Sequence, residues 1–445
     1  MREEIIAAVK AAGVVGAGGA GFPTHVKINA NAEIVIVNGA ECEPLLRADQ
    51  HLMASESEKL IIGLKAVMLA TGAGKGYISL KLKYEDAVRN LQDTLKQMDA
   101  QGIELFFIPD MYPAGDEHVL VHEVTGRIVP EGGIPLHVGV VVSNVQTLIN
   151  IAQALEGQPV TDKYVTVTGE VGKPSTVKVP IGMLIDEILL LAGGTTVREY
   201  TVIDGGPMMG KLIQKDATIR KTTGGIIVLP QDHSLVVEKG LTWPVISNRA
   251  KSVCCNCRAC TDVCPRNLLG HRLEPHRIMQ AIGRGQINES EVLSKAFLCS
   301  ECGACDTYGC SMGLSPRRVN AELKRQFAGA GIRNPHNEKP ESSRINREFR
   351  RIPTKRLLYR LGLDKYEHKA PLNLEPVLTK NVKILLSQHI GAPAKPVVEL
   401  GSMVNKGDLI AEIPEGSLGA NLHASISGQV YNVEGWIGIQ QGVNI

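Results

Sequence analysis

Hydrophobic and polar residues follow a repeating order in the first third of the chain. Stretches with apolar residues at helical spacing alternate with short apolar runs that are typical of buried strands. The predicted helices span 3–12, 55–70 and 84–98, and the predicted strands span 33–38, 76–80 and 103–108. Ser55 and Glu58 match a capping box at the start of the second helix. This alternation predicts an open α/β sheet with mostly parallel strands.

The pattern changes near residue 157. Further predicted elements are strands over 164–169, 176–179, 201–204 and 225–229 and a helix over 180–191. They predict a small α+β module. After residue 371, short strands separated by Gly and Pro predict a compact all-β module. Its predicted strands lie at 397–401, 407–410 and 425–430.

These changes divide the chain into five segments. They are the first domain (1–156), the α+β module (157–243), a helical segment with most of the cysteines (244–330), a connector (331–370) and the terminal module (371–445). Residues 317–369 are rich in Arg and Lys, including Arg350-Arg351 and Lys355-Arg356. Two interpretations of this basic stretch stay open. It docks on an acidic surface, such as that of the first domain, or it is a solvated face.

The composition excludes several classes of partner. The 445 residues carry 48 basic and 46 acidic side chains, which gives no general reason to expect nucleic acid or an anionic membrane. Aromatic residues make up 4%, too few for base-stacking platforms. No apolar stretch reaches the roughly 18 residues of a membrane span, and no signal peptide is visible. We therefore expect a cytoplasmic chain whose ten cysteines act as ligands rather than disulfides.

Eight of these cysteines form two runs. The runs are Cys254-x2-Cys257-x2-Cys260-x3-Cys264-Pro265 and Cys299-x2-Cys302-x2-Cys305-x4-Cys310. The first has the spacing of bacterial ferredoxins, in which thiolates bind iron–sulfur clusters. The spacing predicts two 4Fe-4S clusters and therefore one-electron transfer. Cys42 and Cys255 are predicted to be non-ligands.

The division of ligands between the clusters follows from a known rule. In two-cluster ferredoxins the fourth cysteine of each run binds the other cluster. The predicted sets are Cys254, Cys257, Cys260 and Cys310 for one cluster and Cys264, Cys299, Cys302 and Cys305 for the other. The second run has one extra residue before Cys310, and we expect a bulge within 306–309. Structural zinc is the alternative, but the successive spacing and the proline favour iron–sulfur.

A glycine-rich loop near the N-terminus reads Gly16-Ala-Gly18-Gly19-Ala-Gly21, with Glu41 about 20 residues later. A dinucleotide-binding loop follows a strand and opens a helix, whereas here a predicted helix precedes the loop. We therefore reject an ordinary Rossmann motif. The glycines still allow close approach of the backbone to a phosphate or a planar ring. A flexible loop without a ligand is the alternative.

Four motifs in order resemble the NADH-binding subunit of respiratory complex I. They are the glycine loop continued to Lys27, Asn38-Gly-Ala-Glu41-Cys-Glu43-Pro, Tyr112-Pro-Ala-Gly-Asp116-Glu117 and Ser143-Asn144-Val-Gln-Thr147. The resemblance implies that FMN contacts Gly16, Gly18, Lys27, Asn38, Glu41, Asp116, Ser143, Asn144 and Thr147. It also implies that NADH binds near Phe22 and Glu43. No catalytic side chain is implied.

The remaining segments resemble known modules as well. The α+β module resembles a soluble-ligand-binding β-grasp (SLBB) domain, and the cysteine segment resembles the dicluster ferredoxin part of the Rnf C subunit. The terminal module resembles a barrel-sandwich hybrid, and no lysine lies in Leu422–Gly428 to carry biotin or lipoate. The implied fold is multidomain α/β. It combines a Rossmann-like FMN domain of the complex I type, the β-grasp module, a helical dicluster segment and the all-β terminal module.

The order of these modules is similar to that of the cobalamin reductases of propanediol-utilisation microcompartments. This resemblance implies an NADH-dependent reductase that passes electrons through FMN and two 4Fe-4S clusters to cobalamin, in support of a B12-dependent diol dehydratase. It implies as partners cobalamin or a cobalamin-handling protein (an adenosyltransferase or the diol dehydratase system) and a microcompartment shell protein. The alternative is an electron-wiring subunit like Rnf C, which transfers electrons to a docked protein partner and has no terminal substrate of its own.

Overall fold

The computed structural model describes residues 1–286 and 288–442. The strands are β1 (Ile34–Gly39), β2 (Lys75–Leu80), β3 (Ile103–Phe107), β4 (Met111–Tyr112), β5 (Val140–Asn144), β6 (Asp162–Gly169), β7 (Ser175–Pro180), β8 (Tyr200–Asp204), β9 (Lys211–Ile213), β10 (Gly225–Pro230), β11 (Ile352–Pro353), β12 (Leu372–Asn373), β13 (Asn381–Leu385), β14 (Lys395–Pro396), β15 (Met403–Val404), β16 (Leu409–Glu412), β17 (Leu422–His423), β18 (Gly428–Asn432) and β19 (Trp436–Gln440).

The α-helices are α1 (Arg2–Ala11), α2 (Thr24–Ile28), α3 (Ala48–Ser55), α4 (Ser57–Thr71), α5 (Glu85–Gln97), α6 (Glu117–Thr125), α7 (Val145–Leu155), α8 (Ile185–Leu191), α9 (Ser234–Gly240), α10 (Trp243–Val253), α11 (Ala259–Asp262), α12 (Pro265–Leu268), α13 (Pro275–Arg284), α14 (Ser290–Ser294), α15 (Pro316–Gly329) and α16 (Thr354–Leu361). Tighter turns span Pro135–Val138, Lys295–Leu298, Arg347–Arg350 and Asp364–Tyr366, and a π-helical turn spans Cys305–Gly309.

The first domain contains a parallel sheet in the order β3-β2-β1-β5. The inner strand β1 begins with a run of Ile and Val, as expected for a strand that is covered on both faces. Helices α4 and α7 pack closely on one face of the sheet. A Cβ added at Gly63 of α4 would lie only 2.0 Å from the carbonyl oxygen of Leu148 on α7. The predicted open α/β sheet is therefore present, and its strands are parallel.

The β-grasp module is a mixed sheet in the order β12-β7-β6-β10-β8-β9. Its neighbours β6 and β10 are parallel, as are β7 and β12, while the other pairs are antiparallel. Helix α8 buries Ile185, Ile188 and Leu189 against this sheet. The terminal module forms two antiparallel sheets, β13-β19-β18-β15 and β14-β16-β17, around one apolar core.

The basic connector docks on the first domain. Strand β11 pairs with β4, and Arg347 and Arg351 both contact the carboxylate of Glu123 on α6. This contact favours the first of the two interpretations of the Arg- and Lys-rich stretch. In the part of the chain that the structure describes, no helix has the length and apolarity needed to cross a membrane.

Three predicted elements were wrong in detail. The capping box is absent because the chain breaks at Glu56, and the Ser55 hydroxyl donates to the His51 carbonyl within α3. Helix α8 begins at Ile185 rather than 180, since Pro180 still pairs with Asp162 in the sheet. The predicted strand at 397–401 is instead a turn that exposes Leu400.

Candidate functional site

The site in the first domain lies at the carboxyl ends of β1 and β5. Asn38 and Asn144 are neighbours in register at these ends. In open α/β sheets this edge is where ligands bind. The Asn144 side chain also caps α7 by accepting a hydrogen bond from the Gln146 amide at 2.9 Å. The sheet thus brings together two of the predicted FMN residues.

The glycine loop closes over this edge. The Ala17 amide donates to the Thr147 hydroxyl at 2.9 Å, and the Gly16 amide donates to the Phe22 carbonyl at 3.0 Å. A Cβ at Gly18 would lie 2.7 Å from Nδ2 of Asn144, so this position requires glycine. Phe22 remains 37% exposed at the end of the loop.

Two half-buried carboxyl groups lie beneath the loop. Glu41 accepts a hydrogen bond from the Gln50 amide at 2.9 Å, and Asp49 accepts one from the Asn144 side-chain amide at 2.7 Å. Burial raises the pKa of both groups, and the Asp49 charge raises that of Glu41 further. The sequence analysis missed Asp49 because it lies on α3, a helix that the apolar pattern did not reveal.

Three of the residues implied by the resemblance are engaged in other contacts. Lys27 forms an ion pair with Glu117 at 3.1 Å. Asp116 caps α6, and its Oδ1 lies 2.9 Å from Nη1 of Arg266 in the dicluster segment, an ion pair without hydrogen-bond alignment. Glu43 accepts hydrogen bonds from two amides of the β-grasp module, those of Met208 and Met209, both at 2.9 Å.

The carboxylates of Asp116 and Glu43 therefore serve contacts between modules. The physical reason is that these modules pack directly behind the sheet edge. There, a buried carboxylate requires a cation or amide donors. The contacts of Asp116 with FMN and of Glu43 with NADH stay predictions.

The residues that remain at the edge fit a flavin nucleotide. The Ser143 hydroxyl is buried, and no partner for it lies among the described residues. A bound ligand or an ordered water satisfies an orphaned polar atom of this kind. Ser143 precedes Asn144 on β5, and the contacts described above hold the glycine loop and the side chains of Asn38, Glu41, Asn144 and Thr147 at this edge.

A second site is a cavity in the dicluster segment. Its lining includes Cys264, Cys299, Cys302 and Cys305, together with Asn320. Both amide atoms of Asn320 are buried and lack a hydrogen-bond partner in the described part of the chain. Burial raises the pKa of Cys264 to about 12, and the neighbouring Cys299 adds to this rise. The four cysteines are the set that the crossed-ligation rule predicts.

The other set lies nearer the surface. Cys257 is exposed, and Cys254, Cys260 and Cys310 are half-buried. Burial raises the pKa of Cys260 to about 12, and the next largest contribution comes from Cys310, followed by Cys254 and Cys257. Cys310 thus lies beside the first run although it belongs to the second, as crossed ligation requires.

The extra residue before Cys310 forms a π-helical turn. The Cys310 amide donates to the Cys305 carbonyl at 2.9 Å, a bond from residue i+5 to residue i. A π turn accommodates one inserted residue in this way. The predicted bulge within 306–309 therefore exists, and it keeps Cys310 directed at the first run.

The two cysteine runs share one backbone conformation. Asn256 and Arg258 in the first run and Glu301 and Gly303 in the second have positive φ angles of 56°, 68°, 59° and 79°. Each pair holds the same places relative to the first cysteine of its run. When right-handed and left-handed backbone conformations alternate along a loop, the amide groups point toward an anion. Loops around iron–sulfur sites use this arrangement.

No three His, Cys, Asp or Glu side chains converge on one point that would suit a single metal ion, within residues 1–286 and 288–442. A four-iron cluster binds one thiolate at each corner, so its sulfurs lie further apart than those around one zinc ion.

The flavin-type site and the buried cysteine set touch each other. The Tyr112 hydroxyl donates to the Cys302 carbonyl at 2.5 Å. On the other side of the same loop, the Gly115 carbonyl accepts from the Asn38 side chain at 2.9 Å. The segment from Tyr112 to Asp116 therefore separates the two sites and contacts both.

Family models match each of these modules. They are the Nuo51 FMN-binding domain over residues 9–153, the SLBB domain over 164–212, the 4Fe-4S dicluster domain over 253–315 and the RnfC barrel sandwich hybrid domain over 360–442. The matches agree with the fold and with the sites described above.

Two relatives decide the family. The protein from Citrobacter freundii named cobalamin reductase PduS is 47% identical over 427 residues, which cover 96% of this chain and 93% of that protein. Its counterpart from Salmonella typhimurium is 46% identical and covers 96% of this chain and 94% of its own length. The chain belongs to the PduS family.

A solved structure shows the PduS-family fold in a more distant protein. A chain of the NAD+-reducing [NiFe]-hydrogenase, in the H2-reduced state, matches with a TM-score of 0.52 and 21% identity. The match covers 76% of this chain and 64% of the hydrogenase chain. At this identity the likeness concerns the fold alone.

Proposed function

We propose that this chain is an NADH-dependent reductase that transfers electrons through FMN and two 4Fe-4S clusters to cobalamin. The observation that carries the proposal is the hydrogen bond from Tyr112 to the Cys302 backbone. It joins an FMN-type domain to a cysteine-lined cavity within one chain. The substrate follows from the two relatives that are named cobalamin reductases.

FMN would lie under the glycine loop. Gly16 and Gly18 allow its close approach, and polar contacts come from Lys27, Asn38, Glu41, Ser143, Asn144 and Thr147. When bound, FMN takes a hydride from NADH and releases electrons singly. The chain orients this site, because Asp49 fixes the Asn144 amide and Thr147 fixes Ala17. Phe22 is exposed beside the loop, where a nicotinamide ring would stack.

The two cysteine sets would have different places in the electron path. Cys264, Cys299, Cys302 and Cys305 lie against the first domain, so we assign them the cluster on the flavin side. Cys254, Cys257, Cys260 and Cys310 lie nearer solvent, so we assign them the cluster that faces the acceptor. Coordination would deprotonate thiols that burial otherwise keeps protonated.

The cobalamin acceptor would be free in solution or bound to a cobalamin-handling protein, such as an adenosyltransferase or a diol dehydratase. This role would support B12-dependent diol dehydration in a bacterial microcompartment of the cytoplasm, where a shell protein would be a further partner. The printed name of the relatives, cobalamin reductase, supports the cobalamin acceptor.

The match to the RnfC barrel sandwich hybrid domain favours a second candidate. In that case the chain passes electrons to a docked protein and reduces no small molecule itself. The test uses full-length protein purified without oxygen. About eight irons and one FMN per chain are expected for two four-iron clusters, and zinc alone would refute both redox functions.

Addition of NADH and cob(III)alamin then separates the two candidates. Sustained loss of the cob(III)alamin absorbance supports the reductase. Bleaching of the flavin without reduction of cobalamin supports the electron-wiring subunit. Omission of NADH is the control.

A further inference from the structure

A buried lysine of the β-grasp module reaches into the glycine loop. Lys163 lies near the start of β6, and only 3% of the residue is exposed. Its Nζ donates to the Ala17 carbonyl at 2.8 Å. Ala17 lies between Gly16 and Gly18 in the first domain. A cation from one module thus holds the backbone of the other at the candidate flavin site.

A second buried lysine of the same module makes the same type of contact. Lys221 is 3% exposed, and its Nζ donates to the Gly13 carbonyl at 2.6 Å and to the Asn421 carbonyl at 2.7 Å. Gly13 precedes the glycine loop by three residues. The loop and the residue three positions before it are therefore each held by a lysine that lies outside the match to the FMN domain.

The contacts of Lys163 continue into the polar groups beneath the loop. Burial lowers the pKa of Lys163 to about 8, and the Asp49 charge is the largest contribution that opposes this shift. The Asp49 carboxylate also accepts a hydrogen bond from Asn144. Ala17 is fixed on its other side by Thr147. Because a buried ammonium is costly without acceptors, its placement here needs the loop carbonyl and the nearby carboxylate together.

We propose that the β-grasp module is part of the flavin site and that Lys163 is a positioning residue, which holds Ala17 so that the glycine loop has the shape that binds FMN. This inference rests on the proposed FMN site. Lys163 acts through Ala17, so no direct contact between its side chain and FMN is required. Without it, the contact of Ala17 with Thr147 and that of Gly13 with Lys221 remain, and the contact of the Ala17 carbonyl with the β-grasp module is lost.

The test titrates full-length, flavin-free protein with FMN and follows the quenching of flavin fluorescence. Lys163→Met is expected to weaken FMN binding roughly tenfold or more, since a charged hydrogen bond is lost. Lys163→Arg keeps a donor and is expected to recover part of the affinity. Lys173→Met, at an exposed lysine of the same module, is the matched control and is expected to bind as wild type. Iron content and thermal unfolding of the flavin-free proteins report folding.

A lysine that only joins the modules would lower the unfolding temperature and leave the FMN affinity unchanged. Equal FMN affinity in wild type and Lys163→Met therefore overturns the inference. If Lys163→Met does not fold, the double variant Lys163→Met/Asp49→Asn removes both charges and is compared with Asp49→Asn alone, because Asp49 holds the Asn144 amide. Equal FMN affinity in these two variants overturns the inference, and weaker affinity in the double variant supports it. Absence of FMN binding in the wild type would refute the proposed flavin site itself.

Discussion

Substitution of Asp116 by Asn tests the contact between the first domain and the dicluster segment. The Asp116 and Arg266 side chains are only 7% and 11% exposed. Removal of one partner of a buried ion pair costs about 3–5 kcal/mol, because the other charge stays buried without compensation. Asn caps a helix about as well as Asp, so the cap on α6 is retained and the variant isolates the ion pair. We expect a loss of about 3 kcal/mol, since slight exposure of Arg266 reduces the cost.

The assay is anaerobic denaturant unfolding followed by circular dichroism. Asp116→Ala also loses the cap and is expected to be about 1 kcal/mol less stable than Asp116→Asn. Asp86→Asn breaks the exposed pair with Arg89 and is the control, with an expected change of about 0.5 kcal/mol or less. A change below about 1 kcal/mol in Asp116→Asn would refute the reasoning, because a buried pair would then behave as a surface pair.

Three further predictions concern the clusters, the loop and pH. Cys310→Ala should lose the surface cluster and retain the buried one, with iron falling from about eight to about four per chain; retention of both clusters would contradict crossed ligation. Gly18→Ala should weaken FMN binding in fluorescence titrations, because its Cβ would displace the Asn144 amide, whereas Gly74→Ala meets no atom within 4 Å and should bind normally. Burial lowers the pKa of Lys221 to about 7, below its unfolded value. The unfolded state therefore binds more protons between about pH 7 and 10.5, and stability should rise with pH in this window by up to about 1.4 kcal/mol per unit. In Lys221→Met this rise should be smaller, and an unchanged pH profile would contradict the assignment.

Local signals explain why much of the fold could be predicted. Strands β1, β2 and β3 are short apolar runs between turn residues, and the structure has them within a residue or two of the prediction. Helix α3 was missed because it mixes apolar and polar residues directly after a loop, without a clear helical period. The capping box failed because the hydroxyl of Ser55 had a closer acceptor in the preceding turn.

Some features of the candidate site could also be predicted from the sequence, and others could not. The cysteine sets could be predicted because ligand spacing is a local property, and even the bulge before Cys310 followed from one extra residue. The contacts of Asp116 with Arg266 and of Lys163 with Ala17 join residues that are far apart in the sequence. Such contacts depend on how modules pack, and a single sequence carries no pattern for them.

The strands β11 and β12 have a consequence for biosynthesis. Strand β11 forms a two-stranded sheet with β4, whereas β12 completes the β7 edge of the β-grasp sheet about 200 residues after that strand. At about 5–20 residues per second, a ribosome needs about 10–40 s to supply the missing strand. During this interval the nascent β-grasp module has an unpaired edge that other chains can join. Ribosome-bound chains that end before residue 372 therefore leave this edge open to pairing with other chains.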